Sequence, residues 1–170
     1  MTKQSLVVAD AGVLIHLDEL DALDVLSDYT TIFVPDAVWT EVLYHRPQAL
    51  QNQVVTLVHV PATPYLAKVN AIATLFTLHH GEREALSFCL TKNINTFLTD
   101  DTAARLAAKN LNIKARGTLG LLIRAVRHNL RSVAEILDLL VAIPEKSSLH
   151  VSPKLLDDVI EQLNAEWFDN

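Results

Sequence analysis

The chain has 170 residues and a formal net charge of −6, with 14 Lys and Arg against 20 Asp and Glu; half its residues are apolar and a fifth are charged. That balance is globular rather than disordered, and a length inside the usual range of roughly 100–200 residues is the expectation for one domain spanning 1–170. A lone cysteine, Cys89, excludes a disulfide-stapled fold and a zinc knuckle; no apolar run approaches the roughly 18 residues of a membrane span, and the short apolar start broken by Asp10 does not read as a signal peptide, so a soluble cytoplasmic protein is the simplest expectation.

In chain order, Ser5 to Ala9 is a β-branched apolar run that reads as a buried strand ending at Asp10. Ala11 to Leu17 turns helical, and Glu19 to Leu26 repeats apolar residues at helix spacing. Thr30 to Val34 is a second strand closed by Pro35, and Asp36 is the expected N-cap of a helix carrying Val38, Trp39, Val42 and Leu43. Val54 to Val60 reads as a strand or an edge extension, stopped by Pro61. Tyr65 to Leu78 reads as a helix broken by His79-His80-Gly81, and Glu82 to Leu90 as the next, with acids in its first turn. Asn95 to Thr99 is a third clear strand, followed by Asp100-Asp101. A helix over Thr102–Asn110, a short strand over Ile113–Arg116, a helix from Thr118 to His128 and another from Ser132 to Ile143 follow. Pro153 opens the last helix at its first position. Unbroken apolar strands alternating with helices predict an α/β fold, a three-layer α/β/α sandwich with a central, mostly parallel sheet. The apolar stripe Leu155, Leu156, Val159, Ile160, Leu163 and Trp167 makes 152–170 a candidate C-terminal docking helix, with packing on its own domain as the alternative.

The charge is partitioned. Thr102 to Arg131 contains no Asp or Glu but holds Arg105, Lys109, Lys114, Arg116, Arg124, Arg127 and Arg131, half of the basic residues; the rest of the chain sets seven bases against all twenty acids. Such a segment is either a polyanion-binding surface or a solvated helix face.

In parallel sheets, ligands bind at the carboxyl ends of strands. Two of the clearest strands end in acids, Asp10 and the pair Asp100-Asp101, with no Lys or Arg beside them. Clustered carboxylates without bases raise one another's pKa or bind a cation. Glu41, and Glu82 or Glu84, are helix acids that could join them. An all-oxygen set suits Mg²⁺ or Mn²⁺, and phosphodiester hydrolysis is chemistry that such a set performs. Gly12 stands where a haloacid-dehalogenase-type phosphatase needs a second Asp, and no GxGxxG, Walker A, HExxH or GxSxG pattern is present.

The four segments Val7-Val-Ala-Asp10-Ala-Gly-Val-Leu14, Val34-Pro-Asp-Ala-Val-Trp-Thr-Glu41, Gly81-Glu-Arg-Glu84-Ala-Leu86 and Leu98-Thr-Asp100-Asp101, the last followed by Gly117-Thr-Leu-Gly-Leu-Leu122, resemble in order those of PIN-domain nucleases. The likeness extends from about Leu6 to at least Arg127 and points to a VapC-like prokaryotic branch with many uncharacterised members. The resemblance implies a Mg²⁺- or Mn²⁺-dependent endoribonuclease with Asp10, Glu41, Glu84 and Asp100 as catalytic metal-holding acids and Asp101 beside them. Glu82 versus Glu84 and Asp100 versus Asp101 stay open at this stage. Arg105, Lys109 and Arg116, with Arg83, would hold the RNA backbone. The resemblance further implies a homodimer, and a small antitoxin partner if the protein is the toxin of a toxin–antitoxin pair. The alternative is a non-catalytic interaction module on the same fold.

Overall fold

A computed structural model describes residues 5–168; the remaining residues of the expected 1–170 domain, including the last two of the candidate docking helix, lie outside the described residues. Five parallel strands, β1 (Leu6–Ala9), β2 (Thr31–Pro35), β3 (Leu57–Val60), β4 (Thr96–Leu98) and β5 (Lys114–Arg116), form one sheet in the order β3-β2-β1-β4-β5. The helices are α1 (Ala11–Glu19), α2 (Asp36–His45), α3 (Ala67–Ala73), α4 (His80–Lys92), α5 (Thr102–Asn110), α6 (Thr118–Arg127), α7 (Val133–Lys146) and α8 (Pro153–Trp167).

Alternation along the strands divides the core in two. Val7, Ala9, Ile32, Val34 and Leu98 face one layer, packed with Leu14 and Leu17 of α1, Leu121 and Leu122 of α6, and Ile136 and Leu140 of α7. Val8 and Phe97 face the other, packed with Val69 of α3, Leu86 and Cys89 of α4, and Ala104 and Ala108 of α5. The period of two sends neighbouring strand residues to opposite faces, so continuous apolar runs are what a sheet covered on both sides requires. The result is the three-layer α/β/α sandwich with a wholly parallel sheet. In α8, Leu156 and Leu163 are buried in the α1–α6–α7 layer with Trp167 against it, while Leu155 is exposed.

Local chemistry explains most boundaries. Three helices end without glycine: Asn93, Asn112 and Asn129 take the left-handed conformation, and the N–H groups of Ile94, Ile113 and Leu130 bond back to the carbonyls of Cys89, Ala108 and Ala125. Ser132 and Glu135 form a reciprocal capping box on α7, and Ser152 caps α8 ahead of Pro153.

Several expected boundaries move. The strand expected over 54–60 is only Leu57–Val60, because Asn52 Oδ1 accepts the N–H groups of both Val54 and Val55 and holds them in a turn. The helix expected over 65–78 is only Ala67–Ala73; Leu75 bonds back three residues to Ile72, and the Thr74 hydroxyl donates to the Ala71 carbonyl. Regular helix ends at Glu19, where Asp21 turns left-handed, and Leu23–Leu26 is a 3₁₀ turn. His79 to Gly81 do not break a helix but start α4. Extended Pro35, not Asp36, is the cap residue of α2, and the Asp36 carboxylate turns to His59 Nε2 at 2.8 Å. Gly117 caps α6, which ends at Arg127, and α7 continues through Pro144 to Lys146.

Phe97 is wholly buried on β4 in the α3–α4–α5 layer. Phe97→Ala should destabilise the protein by roughly 3–5 kcal/mol, read from the midpoint and slope of urea unfolding.

Candidate active site

The strand order places a topological switch at β1 and β4. The chain leaves β1 toward β2 and β3, then returns to the other side of β1 as β4 and β5. Such a switch opens a crevice beyond the carboxyl ends of the strands. Asp10 follows β1 directly and Asp100 and Asp101 lie just past β4. Parallel pairing continues one step past the strands, with Asp10 N–H bonded to the Leu98 carbonyl at 2.8 Å.

A cleft of about 410 Å³ occupies this crevice, walled by Asp10, Glu41, Glu82, Asp100 and Asp101 together with His16, His79 and His150. α1 starts immediately after Asp10, whose carboxylate accepts the Ala11 N–H at 2.9 Å and the Thr99 hydroxyl at 2.9 Å. Thr99 Oγ1 in turn accepts the Asp101 N–H at 3.2 Å, so one buried hydroxyl ties the two strand ends together. Glu82 opens α4, accepts the His79 N–H and faces the cleft; Glu41, exposed on α2, reaches the same space.

These acids repel one another. Burial, then the charges of Glu82 and Glu41, push the Asp10 carboxyl up to about 7, against the hydrogen bonds from Thr99 and Ala11. Glu82 is also raised, first by burial and then by Asp101 and Glu41, against its bond from His79 N–H. Among the described residues, no Lys or Arg lines the cleft. Asp100 behaves in the opposite way. Burial disfavours its charge, but His16 Nδ1 at 2.7 Å, the Thr118 hydroxyl at 2.6 Å and the Thr118 N–H at 2.7 Å outweigh it and hold the carboxyl below its ordinary range. One Asp101 oxygen accepts the Ala104 N–H at 2.8 Å and caps α5.

The two members of Gly81-Glu-Arg-Glu84 therefore part company. Glu84 is 1% exposed and does not line the cleft; it accepts the Asp36 N–H at 2.9 Å, with His80 Nε2 at 3.6 Å from its second oxygen. Two residues along a helix are a turn of about 200°, which sends Glu82 and Glu84 to different sides. The expected closed cage is not formed either: among the described residues, no three of these donors stand together as a ready ligand set. The acids form an open cluster instead. Its donor chemistry fits a hard divalent cation, since the raised carboxyls of Asp10 and Glu82, with no Lys or Arg against them among the described residues, are stabilised by a positive ion.

The basic stretch also divides. Arg124 pairs with Asp28 at 2.7 Å, Arg127 with Glu166 at 3.2 Å and Arg131 with Asp24 at 2.7 Å, so its second half ties α6 and the turn after it to neighbouring elements. Arg105, Lys114 and Arg116 line a second hollow of about 570 Å³, and Lys109, Arg105 and Lys114 a third of about 540 Å³. The hollows share walls: Arg105 and Lys114 join the third to the second, and Asp100, Leu149 and His150 join the second to the acidic cleft. Gly117 makes one junction close, since a Cβ there would lie 2.5 Å from Arg105 Nη1 and 2.7 Å from Asp100 Oδ1. Arg83 is not brought to this track; its Nε donates to the Leu78 carbonyl at 3.1 Å and its guanidinium lies over Tyr65.

His16, His79 and the segment Ser148-Leu149-His150 are cleft residues that the strand-end reasoning did not single out. His16 was findable, because residue 16 lies six positions into the helix that Asp10 begins. The segment near 150 lies far in sequence from every acid that lines the cleft.

The chain matches the DUF3368 family of PIN domains over residues 6–165. It belongs to the PIN-domain family. Among solved structures it is similar to a PilT N-terminus domain protein from the hyperthermophilic archaeon Sulfolobus solfataricus P2, at 16% identity and a TM-score of 0.55, over 72% of this chain and 95% of that one. That likeness is one of fold. No curated protein matches the chain. PIN domains are generally nucleases. Among the described residues, no helix of this PIN domain is long and apolar enough to cross a membrane.

The raised Asp10 pKa has a thermodynamic consequence. Between its ordinary value of 3.8 and about 7 the folded PIN domain binds a proton that the unfolded chain has released, so stability falls as pH rises through that window. Asp10→Asn removes this term. In EDTA, the variant should be more stable than the wild type at pH 8, by on the order of 3 kcal/mol, with the gap closing toward pH 4, as read by urea unfolding at both pH values.

Proposed function

We propose that this PIN domain is a divalent-metal-dependent endoribonuclease. The observation that carries the reading is the junction of two opposite surfaces: an acidic cleft with no Lys or Arg among the described residues that line it, and a run of hollows lined by Arg105, Lys109, Lys114 and Arg116 that adjoins it at Asp100. A polymer with a phosphate backbone is what such a track can hold along its length. A small phosphorylated substrate would have no use for the far hollow at Lys109.

Asp10, Glu41, Glu82 and Asp101 are the acids that would hold Mg²⁺ or Mn²⁺. A divalent cation bound there supplies water activation and offsets the charge of the phosphate under attack. Thr99 orients the Asp10 carboxylate. Asp100 holds His16 and the start of α6 in place and keeps its negative charge at the mouth of the cleft. Arg105 and Arg116 grip the strand on the approach. The resemblance to toxin members of the family supports a toxin role, a small antitoxin partner and a homodimer.

The test is cleavage of a mixed, structured RNA in Mn²⁺, Mg²⁺ or EDTA. Cleavage should require metal and fall by at least about 100-fold in Asp10→Asn. Glu82→Gln should cause a similar loss. Glu84→Gln, which retains an acceptor for the Asp36 N–H, should keep kcat within a few-fold of wild type. Equal losses in the two Glu variants would refute the assignment of the third acid, and metal-independent cleavage would refute the reading as a whole.

A further inference from the structure

The segment between α7 and α8, residues 147–152, crosses from one helix to the next as an extended strap. Its first end is held by α1: Glu19 Oε1 accepts the Ser148 N–H at 2.9 Å, the Ser148 hydroxyl at 2.8 Å and the Ser147 hydroxyl at 3.3 Å. Burial works against the Glu19 charge, but these bonds hold its carboxyl below the ordinary range. Its other end is Ser152, whose hydroxyl accepts the Leu155 N–H and caps α8. Between these anchors the side chains alternate. Leu149 and Val151 pack on the core, while Ser148 and His150 are exposed, as a period of two requires.

His150 thereby forms part of the wall of both the acidic cleft and the adjoining basic hollow. Among the described residues it has neither a hydrogen bond nor an ion pair to another side chain. Facing it across the hollow are Arg105 of α5 and Lys114 and Arg116 of β5, and across the cleft Asp10, Glu41, Glu82, Asp100 and Asp101. Anything that runs from the basic hollow into the cleft passes this side chain.

We propose that the strap is the third wall of the nucleic-acid channel, that His150 contacts a backbone phosphate of a single strand one step before the acids, and that Glu19 is the positioning residue that holds the strap there. This rests on the nuclease reading above and adds to it a contact from the far end of the chain. The imidazole N–H supplies a phosphate hydrogen bond, and the aliphatic flank of Leu149 and Val151 seals the channel from the α8 side.

The test exploits the salt dependence of phosphate contacts. Each added contact to a single strand steepens the plot of log K against log salt by about 0.7. Binding of a fluorescein-labelled single-stranded RNA is measured by anisotropy in EDTA, in an Asp10→Asn parent that cannot cleave. Replacing His150 by Arg (His150→Arg) adds a permanent charge at the proposed contact. It should tighten binding and steepen the slope by about 0.7. Val141→Arg adds the same charge at an exposed position of α7 outside every hollow of the track and should leave the slope nearly unchanged. Adding Glu19→Ala to His150→Arg should abolish the increment, while the slope of the parent with Glu19→Ala alone changes little.

Equal slopes for His150→Arg and Val141→Arg would overturn the channel wall while leaving the nuclease reading standing, provided that the parent binds. An increment that survives Glu19→Ala would overturn the role of Glu19. A parent that binds no RNA at low salt would remove the nuclease reading and this inference with it.

Discussion

The site depends on the parallel pairing of β1 with β4. That pairing sets Val8 beside Phe97 and Ala9 beside Leu98, and the Asp10 N–H continues it to the Leu98 carbonyl. It brings residues about ninety positions apart in sequence to one edge of the sheet, so that a single hydroxyl, Thr99, can reach Asp10 and Asp101 together. The acids are then held closer than their charges favour, and Asp10 and Glu82 respond by holding protons more tightly. Two apolar layers with Phe97, Leu98 and Val8 wholly buried keep the strands paired against that repulsion. The core carries the strain of holding these acids together.

Around this edge the molecule separates charge by location. Acids meet beyond β1 and β4, and bases that make no ion pair among the described residues lie along α5 and β5. The second half of the basic segment is used for cohesion, with Arg124 stacked 4.3 Å over the Tyr29 ring while paired to Asp28. A negative net charge is therefore compatible with a local surface for a polyanion, because steering depends on the field near the site rather than on the sum. Asp100 stands at the border. With three hydrogen bonds to its two oxygens it links α1, β4 and α6, so the boundary between the acidic and basic surfaces is also a packing joint.

The fold was legible because its signals are local. Apolar runs such as Leu6–Ala9, Ser132 at the start of α7 and Pro153 at the start of α8 each act within a few residues. The structure departs from the expected bounds where side chains redirect the backbone, as Asn52 does before β3 and the Thr74 hydroxyl does at the end of α3. The strand-end acids were legible too, since β–Asp junctions are short-range features and a parallel sheet aligns them.

The sequence by itself determined a parallel α/β sandwich of the PIN kind, a set of candidate acids and a segment of concentrated positive charge, all properties of residue order over short windows. Tertiary structure alone decided which candidates meet. Glu82 rather than Glu84 faces the cleft because helix phase relative to the sheet is set by packing. Arg105 and Arg116 open on the track while Arg124 and Arg131 are tied to acids, because their partners Asp28 and Asp24 lie about a hundred residues away in sequence. His150 lines the cleft from the segment that Glu19 bonds at Ser148, a placement that nothing in the local sequence marks. Spacing along a chain reports periodicity; it carries no record of which distant element arrives opposite, and a site is made of such arrivals.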